Sequence, residues 1–478
     1  MDPRPPVDPR PPVDTRPPVD TRPPPSGGAL ADYFKFAERG TNFATEVKAG
    51  VTTFMVMAYI LFLNPLILSN MFTDPAQAEA FKAPAAAATA LVAGVMSILM
   101  GVIANVPIAL AAGLGINALV AFGLVLGAGL TPAGAMGVIV IEGLVVLVLV
   151  LVGLREAIMN AVPVSLKRAI AVGIGLFILF IGFFDGGLIR GGTAVPVEFV
   201  FPVTPGAAVT ILGLIITIAL VVRRVPAALL LSILITTVIA IALGVQPLPT
   251  SFVATPSFTT LGAFDLSNVF THLGMLAAIL TIFSFMLTDF FDTMGTATAI
   301  AEQADLVDET GRIPNTGRIL AVDAVAAAAG GAAGISSNTS YIESAAGVAE
   351  GGRTGLTAVV VGLLFLAAIL LTPLATLVPF QATAPVLIVV GYLMVTLIRD
   401  INFADLEEGF PALLALILMP LTFSITVGIG AGFIAYVIVK TVVGKAGQIH
   451  PLMWLVAAAF VVYFAQNWLN LMINPPAV

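Results

Sequence analysis

The chain has 478 residues, of which 59% are hydrophobic and only 10% are charged, and its mean hydropathy is +1.07. A soluble domain carries about 25% charged residues, so this chain has too few charges to cover a water-facing surface and needs the apolar interior of a bilayer. It contains no cysteine and only two histidines, which excludes a disulfide framework, a thiol nucleophile and a histidine metal cluster. The net charge of −7 says little about partners, because the charges lie mainly in connecting segments.

Residues 1–30 differ in composition from the rest of the chain. A hexad close to D-x-R-P-P-V starts at Asp2, Asp8, Asp14 and Asp20. Its prolines remove backbone N–H donors, so we expect a disordered tail that resembles polyproline II. The tail has no apolar core of the kind found in secretory signal peptides. We interpret it as a solubilising extension, with docking of an SH3-like partner as the alternative.

Fourteen apolar segments follow the tail, each near the roughly 20 residues that a helix needs to cross hydrocarbon. The basic residues test this layout, because cytoplasmic loops hold an excess of Lys and Arg. With a cytoplasmic N-terminus, only Lys82 and Arg190 of the 20 basic residues fall on the outer side. This agreement favours a multi-pass protein of the plasma (inner) membrane with both terminal regions in the cytoplasm. The segments are 47–68, 84–104, 107–127, 132–153, 168–185, 206–223, 225–244, 273–300, 318–334, 336–350, 354–372, 381–398, 410–425 and 427–443.

A further apolar run, 452–471, either spans the membrane as an extra helix or lies in the interface. The sequence does not decide between the two.

The third and tenth segments are poor helices. The third contains Pro107, Gly113 and Gly115 in its first half, and the tenth contains the polar run 336–340. Interrupted backbone survives in a membrane only when it is buried in protein or lines a cavity. Because the two segments lie seven apart, we expect two inverted halves with a binding site between the interrupted segments. Facing half-helices would direct their N–H groups toward that site.

Ionisable side chains inside apolar segments mark the candidate site. Asp289 and Asp292 lie three residues apart and share a helix face. The apolar stretch before Asp289 measures about 24 Å as a helix, less than the ~30 Å hydrocarbon core, so the helix should continue past both aspartates. The alternative is a surface role, as a helix cap or in an ion pair with Arg312 or Arg318.

Glu343 follows the polar stretch of the tenth segment, which predicts a position in the first turn of a new half-helix. The helix dipole favours a carboxylate there, and a plain N-terminal cap is the alternative. Asn117 takes the equivalent place in the third segment, where its amide can both donate and accept. Glu142 and Asp323 are further buried acids, suited either to a proton relay or to structural pairing with polar neighbours.

Five stretches of the sequence resemble the AzgA-like purine permeases of the nucleobase–cation symporter-2 group, to which uracil and xanthine permeases are more distantly related. The most specific is NTSYIES at 338–344, and the resemblance extends over roughly residues 34–471. The Pro-rich tail has no counterpart in that family. The five stretches are 38–65, 112–122, 289–311, 338–365 and 410–433.

The resemblance implies an all-α polytopic fold of fourteen spans, built as a 7+7 inverted repeat with a core domain that carries the site and a gate domain that braces it. It also implies that segments three and ten begin as short antiparallel strands that meet at the membrane midplane. The corresponding limits are 1–30 for the tail, 31–153 and 273–378 for the core domain, 154–272 and 379–450 for the gate domain, and 451–478 for an extra C-terminal apolar segment.

The resemblance further implies a secondary active transporter, not an enzyme, that imports hypoxanthine, guanine or adenine by proton symport with alternating access. A carboxylate can accept ring N–H groups, and backbone N–H groups can meet the ring acceptors. The expected substrate-binding residues are Asp292, Glu343, Asn117, Gly113, Gly115, Asn338 and Thr339. A carboxylate withdrawn from water holds a proton more readily, so the candidates for proton coupling are Glu343, Asp292, Asp289 and Glu142. Aromatic rings that could cover the base are Phe290, Phe291 and Tyr341, although core packing is the favoured role for each.

Other functions fit the sequence less well. A uracil, xanthine or other nucleobase permease of the same fold is the nearest alternative. An anion transporter of that fold would need cations at segments three and ten, where no Lys or Arg lies. A channel would need a continuous polar lining, and an intramembrane aspartyl protease would need aspartates on facing helices. The expected partners are a purine, protons and the lipid bilayer, without cofactor, metal or nucleic acid; a homodimer is left open.

Overall fold

The computed structural model describes residues 28–153, 161–192, 195–200, 204–247, 255–307, 313, 315–371 and 377–473, with side chains described as far as residue 465. Residues 1–27 of the predicted tail lie outside the described residues, and so does Arg312. The statements that follow concern the described ranges.

The first half of the chain forms nine helices and three short strands within the described residues. Helix α4 continues into a π-helical turn at Met100–Ala104, and α5 continues into a π-helical stretch at Leu119–Gly127. The elements are α1 Ala29–Phe34, α2 Phe43–Met57, α3 Ile60–Ser69, α4 Pro75–Leu99, β1 Leu110–Ala112, α5 Leu114–Ala118, α6 Pro132–Leu151, α7 Val164–Asp185, β2 Ile189–Gly191, β3 Val197–Phe199, α8 Pro205–Val222 and α9 Ala228–Ala242.

The second half is helical except for one short strand in its described part. Helix α15 ends in a 3-10 turn at Thr396–Asp400. The elements are α10 Leu266–Leu273, α11 Met275–Gln303, α12 Thr316–Ala332, β4 Asn338–Ser340, α13 Ser344–Ala349, α14 Gly355–Ala368, α15 Phe380–Val395, α16 Leu406–Thr422, α17 Ile425–Val442 and α18 Pro451–Ile473.

Eight of the described helices are long and apolar enough to cross a membrane, which confirms the prediction of a multi-pass membrane protein. Shorter apolar helices occur at Leu114–Gly127, Ala228–Ala242, Gly355–Leu371 and Pro451–Ala465. The number of fourteen spans stays a prediction. The eight are Phe43–Ser69, Pro75–Ala104, Pro132–Leu151, Val164–Asp185, Pro205–Val222, Met275–Gln303, Phe380–Asp400 and Ile425–Val442.

Local sequence fixes where several helices begin. Asp74, Thr131 and Thr204 each precede a proline, and each side chain accepts a hydrogen bond from a backbone N–H in the first turn of the helix that follows. The predicted start of the second segment at 84 is therefore wrong, because α4 begins at Pro75. Its polar first turns are helical, with Lys82 paired to Glu79 at 2.6 Å.

Glycines allow α4 and α14 to approach each other closely. A Cβ added to Gly355 would collide with the carbonyl oxygen of Gly101, and one added to Gly362 would collide with that of Gly94. Gly94 and Gly101 are seven residues apart on one helix, and Gly355 and Gly362 are seven residues apart on the other. The contact therefore runs for two turns along each helix. Small residues at such spacing let helices pack backbone to backbone in a membrane.

A buried carboxylate fixes the start of α14. Glu46 is fully buried, and its Oε1 accepts hydrogen bonds from Thr41 Oγ1 at 2.8 Å and from the backbone N–H of Arg353 at 2.9 Å. Its Oε2 accepts from the Thr357 hydroxyl at 2.6 Å and from the N–H groups of Thr354 and Thr357. These donors are the free N–H groups of a helix start, so the charge of Glu46 also faces the positive end of the helix dipole.

Candidate functional site

The two interrupted segments meet in the interior as a pair of strands. Strand β1 pairs with β4 in antiparallel register, with Ala111 opposite Thr339 and Ala112 opposite Asn338. The pairing continues on either side, because Gly113 N–H donates to the Ser337 carbonyl oxygen at 2.9 Å and Tyr341 N–H donates to Ala109 O at 3.0 Å. All six strand residues are buried.

Serine hydroxyls complete the hydrogen bonding of β1 on its other edge. Leu110 N–H donates to Ser97 Oγ at 2.9 Å, and the same hydroxyl donates back to Leu110 O at 3.1 Å. Ala109 N–H donates to Ser344 Oγ at 3.0 Å. An unpaired strand edge inside a membrane would leave polar backbone groups unsatisfied, so these side chains allow extended backbone at this depth.

Asp323 of α12 anchors β4. Its Oδ1 accepts from the Ser340 N–H at 2.9 Å and from the Ser340 hydroxyl at 2.8 Å. Its Oδ2 accepts from Thr293 Oγ1 of α11 at 2.6 Å, and the Thr293 hydroxyl lies 2.8 Å from that of Thr339. Since Thr293 gives its proton to Asp323, Thr339 is the donor in the second bond. These contacts match the structural alternative for Asp323.

Asp292 lies on an exposed strip of α11. The strip consists of Asp292, Gly295 and Ala299, spaced so that they share one face of an otherwise largely buried helix. A Cβ added to Gly295 would meet no atom within 4 Å, so there is open space next to Asp292. Helix α11 packs against β4 and α13, the two elements between which Glu343 lies.

Asp289 lies one turn earlier on α11 and is only 3% exposed. Its Oδ2 accepts a hydrogen bond from Ser337 Oγ at 3.2 Å, and its Oδ1 has no protein partner. Among the described residues, neither Asp289 nor Asp292 forms an ion pair, and both lie well inside α11, which runs on to Gln303. The surface-cap alternative is therefore wrong, and an ion pair with Arg318 is absent.

Glu343 lies three residues after the end of β4. It is half-buried, and its Oε1 accepts a hydrogen bond from the hydroxyl of the fully buried Tyr59 at 2.5 Å. Glu343 directly precedes α13 instead of lying in its first turn, so that detail of the prediction is wrong. Its side chain makes no capping hydrogen bond, which excludes the plain N-terminal cap.

Two buried amides lie on the interrupted segments without protein partners. Asn117 and Asn338 are both fully buried, and neither the oxygen nor the nitrogen of either amide has a hydrogen-bond partner in the described structure. An amide in this state costs free energy unless something else binds it. The two side chains are thus the best available donors and acceptors for a polar ligand at the strands.

The residues predicted to contact the substrate at the strands, Gly113, Gly115 and Thr339, are engaged within the protein. Gly113 N–H is already used by Ser337, so it is not free for a substrate. Gly115 allows close packing against α7, since a Cβ there would lie 2.6 Å from Ile174 Cγ2. The hydroxyl of Thr339 is used by Thr293. Glu142 of α6 is fully buried with both carboxylate oxygens unpartnered, and the expected pairing with polar neighbours is absent from the described contacts.

The aromatic residues divide between packing and exposure. Phe290 and Tyr341 belong to the buried core, and Tyr341 donates its hydroxyl hydrogen to Ala112 O at 2.6 Å, which braces β1. Phe291 is half-buried and its ring centroid lies 5.1 Å from Lys167 Nζ of α7. Of the three predicted rings, only Phe291 is both partly exposed and in contact with a side chain of α7.

A model of the Xan_ur_permease family, described as a permease family, matches residues 44–431. The chain belongs to this family. It is 42% identical over 441 residues to "Guanine/hypoxanthine permease PbuG" of Bacillus subtilis, covering 91% of this chain and 99% of that protein. It is 40% identical to "Adenine permease AdeP" of Escherichia coli, covering 91% and 95% respectively. The family resemblance predicted from the sequence is confirmed, and the relatives are transporters.

Solved transporters share the fold of this permease at much lower sequence identity. The transmembrane domain of a cyanobacterial bicarbonate transporter, BicA, superposes with a TM-score of 0.60 at 16% identity, over 81% of this chain and 97% of that domain. At this identity the similarity concerns the fold alone.

Sequence reasoning missed Tyr59 and Ser337 as partners of the acids. Tyr59 is 284 positions from Glu343 along the chain, so no local pattern connects them. A signal was present nevertheless, because a tyrosine in the middle of an apolar segment needs a hydrogen-bond partner for its hydroxyl.

Proposed function

We propose that this chain imports purine nucleobases (hypoxanthine, guanine or adenine) across the plasma (inner) membrane by proton symport. The proposal rests on family membership together with the position of two acidic side chains. A member of a permease family, 42% identical to a guanine/hypoxanthine permease, holds Asp292 on the exposed strip of α11 beside open space, and Glu343 follows the buried strand β4.

The chemistry of these side chains suits a purine. A purine edge carries N–H donors next to ring-nitrogen or carbonyl acceptors, and carboxylates accept such donors strongly in a site shielded from water. Asp292 and Glu343 would accept the ring N–H groups. The unpartnered amides of Asn117 and Asn338 would meet the mixed edge, since each can donate and accept. Gly113, Gly115 and Thr339 would then shape the site more than contact the base.

Proton coupling would use the carboxylates that lie inside the apolar segments. Glu343 and Asp292 would exchange protons as the base binds, and Asp289 and Glu142 would extend the pathway into the core domain. Asp289 Oδ1 and both oxygens of Glu142 have no hydrogen-bond partner among the described residues. Carboxylates in such surroundings change protonation state more readily than they remain charged.

The architecture that fits this function is the 7+7 inverted repeat of fourteen spans. The core domain would comprise 31–153 and 273–378, and the gate domain 154–272 and 379–450, with 451–478 added at the C-terminus. The placement of β1 and β4 in the third and tenth apolar segments supports the repeat. Movement of core against gate would give alternating access, with both terminal regions cytoplasmic and a homodimer as the assembly to test.

Uptake by purified protein in liposomes tests the proposal. Labelled hypoxanthine should enter, and unlabelled hypoxanthine, guanine and adenine should compete better than xanthine or uracil. Preferential competition by uracil or xanthine would move the assignment to the alternative nucleobase permeases. Transport of bicarbonate or another anion without any nucleobase uptake would favour the anion-transporter alternative, which the absence of Lys and Arg at the strands argues against.

A further inference from the structure

A basic cavity lies outside the paired strands, and no strand residue lines it. Its volume is about 750 Å³. It is lined by residues at the C-terminal ends of α4 and α11, at the N-terminal end of α12, and in the segment that follows α1. Four basic side chains line it, against two acidic ones among the described residues. They are Lys35, Arg39, Arg318 and Arg353, with Glu38 and Asp305.

The basic groups differ in how firmly they are held. Arg39 donates from Nη1 to Asn105 O at 2.5 Å and to Arg353 O at 2.9 Å, and Arg353 donates from its own Nη1 to Val348 O and Gly352 O. Each guanidinium uses only its Nη1 in these bonds, so its other two nitrogens remain available to donate to a ligand. The Arg318 side chain is exposed and has no ion pair or hydrogen bond among the described residues.

The acidic residues only partly balance this charge. Glu38 pairs with Lys35 at 3.0 Å in an exposed contact, and Asp305 is exposed without an ion pair among the described residues. Burial lowers the pKa of the Arg39 guanidinium, because the charges of Glu38 and Glu46 do not fully offset its loss of water. A further anion in the cavity would relieve that deficit.

The rim of the cavity is apolar on one side. Val102 and Ile103, at the end of α4, are 39% and 42% exposed, and Tyr33 of α1 is exposed while its hydroxyl donates to Val102 O at 2.8 Å. In a chain that spans a membrane, such side chains beside a basic cavity match the two parts of a phospholipid. The acyl chains would contact the apolar rim, and the phosphate would face the basic groups.

We propose that this cavity binds a phosphate group, carried by an anionic phospholipid of the adjacent leaflet. The planar guanidinium groups of Arg39, Arg318 and Arg353 suit the oxygens of a phosphate better than those of a neutral headgroup. Lys35 adds a point charge at the exposed edge. The site is independent of the transported substrate, since none of the residues assigned to purine binding lines it.

Lipid titration of the purified full-length protein tests this site, with bound lipid counted by native mass spectrometry. Phosphatidylglycerol should bind at a defined stoichiometry, and phosphatidylcholine should not. The double variant Lys35→Gln/Arg318→Gln removes two charges that hold no backbone carbonyl. It should weaken phosphatidylglycerol binding roughly 30-fold while leaving the unfolding temperature unchanged.

The matched control is Arg223→Gln/Arg224→Gln, which removes the same charge from exposed positions after α8. It should leave phosphatidylglycerol binding unchanged. Equal losses in both double variants, or wild-type binding by Lys35→Gln/Arg318→Gln, would overturn the proposal. Inorganic phosphate serves as the third probe at constant ionic strength. If it displaces phosphatidylglycerol at micromolar concentration, the site binds a soluble phosphate and the lipid assignment is wrong.

Discussion

A hydrogen bond from Tyr59 holds the half-buried carboxylate of Glu343 within an apolar protein. The Tyr59 hydroxyl donates a hydrogen bond to one carboxylate oxygen, Oε1, at 2.5 Å. Tyr59 is fully buried, so the bond is shielded from water and fixes the direction of the carboxylate. The residue is thereby oriented and still able to bind a ligand.

Glu343→Gln should reduce hypoxanthine affinity by roughly 30- to 150-fold while leaving the protein folded. The amide keeps the shape of the side chain but removes the charge and one acceptor, and such a charge-assisted pair of contacts contributes on the order of 2–3 kcal/mol. The measurement is uptake and equilibrium binding at matched expression. Glu350→Gln is the control, because Glu350 lies nearby in an exposed ion pair with Lys48. Wild-type uptake by Glu343→Gln would remove the residue from the site.

Asp292 should matter more for binding than Asp289. Asp292 is on the exposed strip of α11 beside Gly295, whereas Asp289 is 3% exposed and bonded to Ser337. We expect Asp292→Asn to lose hypoxanthine binding, and Asp289→Asn to slow transport with binding largely kept. Equilibrium binding of labelled hypoxanthine to each purified variant decides the matter. The reverse pattern would show that the ligand reaches one turn further along the helix.

Sequence reasoning identified the acids but not their environments. Composition alone makes a carboxylate in an apolar segment conspicuous, and this was enough to select Asp289, Asp292 and Glu343. Composition cannot tell which of the two aspartates faces open space, because the i, i+3 spacing places both on the same side of α11. That distinction depends on helices that are distant in sequence, as does the contact between Glu343 and Tyr59. The family resemblance is what selects Asp292 as the binding residue.

At the scale of elements, the interrupted segments were the most predictable feature. Glycine, proline and a run of hydroxyl residues disfavour helix locally, so the breaks near Gly113 and at 336–340 are visible in the sequence. The register of β1 against β4 is not, because it depends on Ser97 and Asp323 satisfying the outer edges of the strands. The start of α4 at Pro75 is not visible as an apolar run, because its first turns carry polar residues such as Glu79 and Lys82.

Gly355→Ala should destabilise the protein, because the added methyl group would collide with the backbone of Gly101. Overpacking against backbone costs about 1–3 kcal/mol, so the unfolding temperature should fall by several degrees. Gly295→Ala is the matched control on a helix with open space, where alanine favours helix by up to about 1 kcal/mol. It should keep or raise the unfolding temperature while weakening hypoxanthine binding, since the methyl group stands beside Asp292. Equal stability of both variants would contradict the close packing of α4 and α14.

At the scale of the whole molecule, the strand pair links elements that the proposed mechanism has to move together. Asp323 joins α12 to β4, Thr293 joins α11 to both, and Tyr341 braces β1. The proposed binding residues therefore belong to one hydrogen-bonded unit. A unit of this kind can shift against α7 without losing the geometry of its site, as alternating access requires.

Proton symport makes a prediction for the intact transporter in liposomes. Because a proton would enter with each purine, lowering the external pH from about 8 toward 6 should raise uptake, and a protonophore should collapse accumulation. With the membrane potential clamped and one proton per purine, each unit of pH difference supports at most about tenfold more accumulation. A plot of log accumulation against pH difference should then have a slope near one.

Hypoxanthine counterflow provides the control for that experiment, since exchange of labelled for unlabelled substrate needs no net proton movement. Counterflow should persist with the protonophore present, which separates loss of coupling from loss of a working protein. If accumulation persists without a proton gradient and follows Na⁺ instead, the coupling ion is wrong while the substrate proposal stands. If counterflow also fails at every pH with correctly folded protein, the purine proposal itself fails, because binding and reorientation would then be absent.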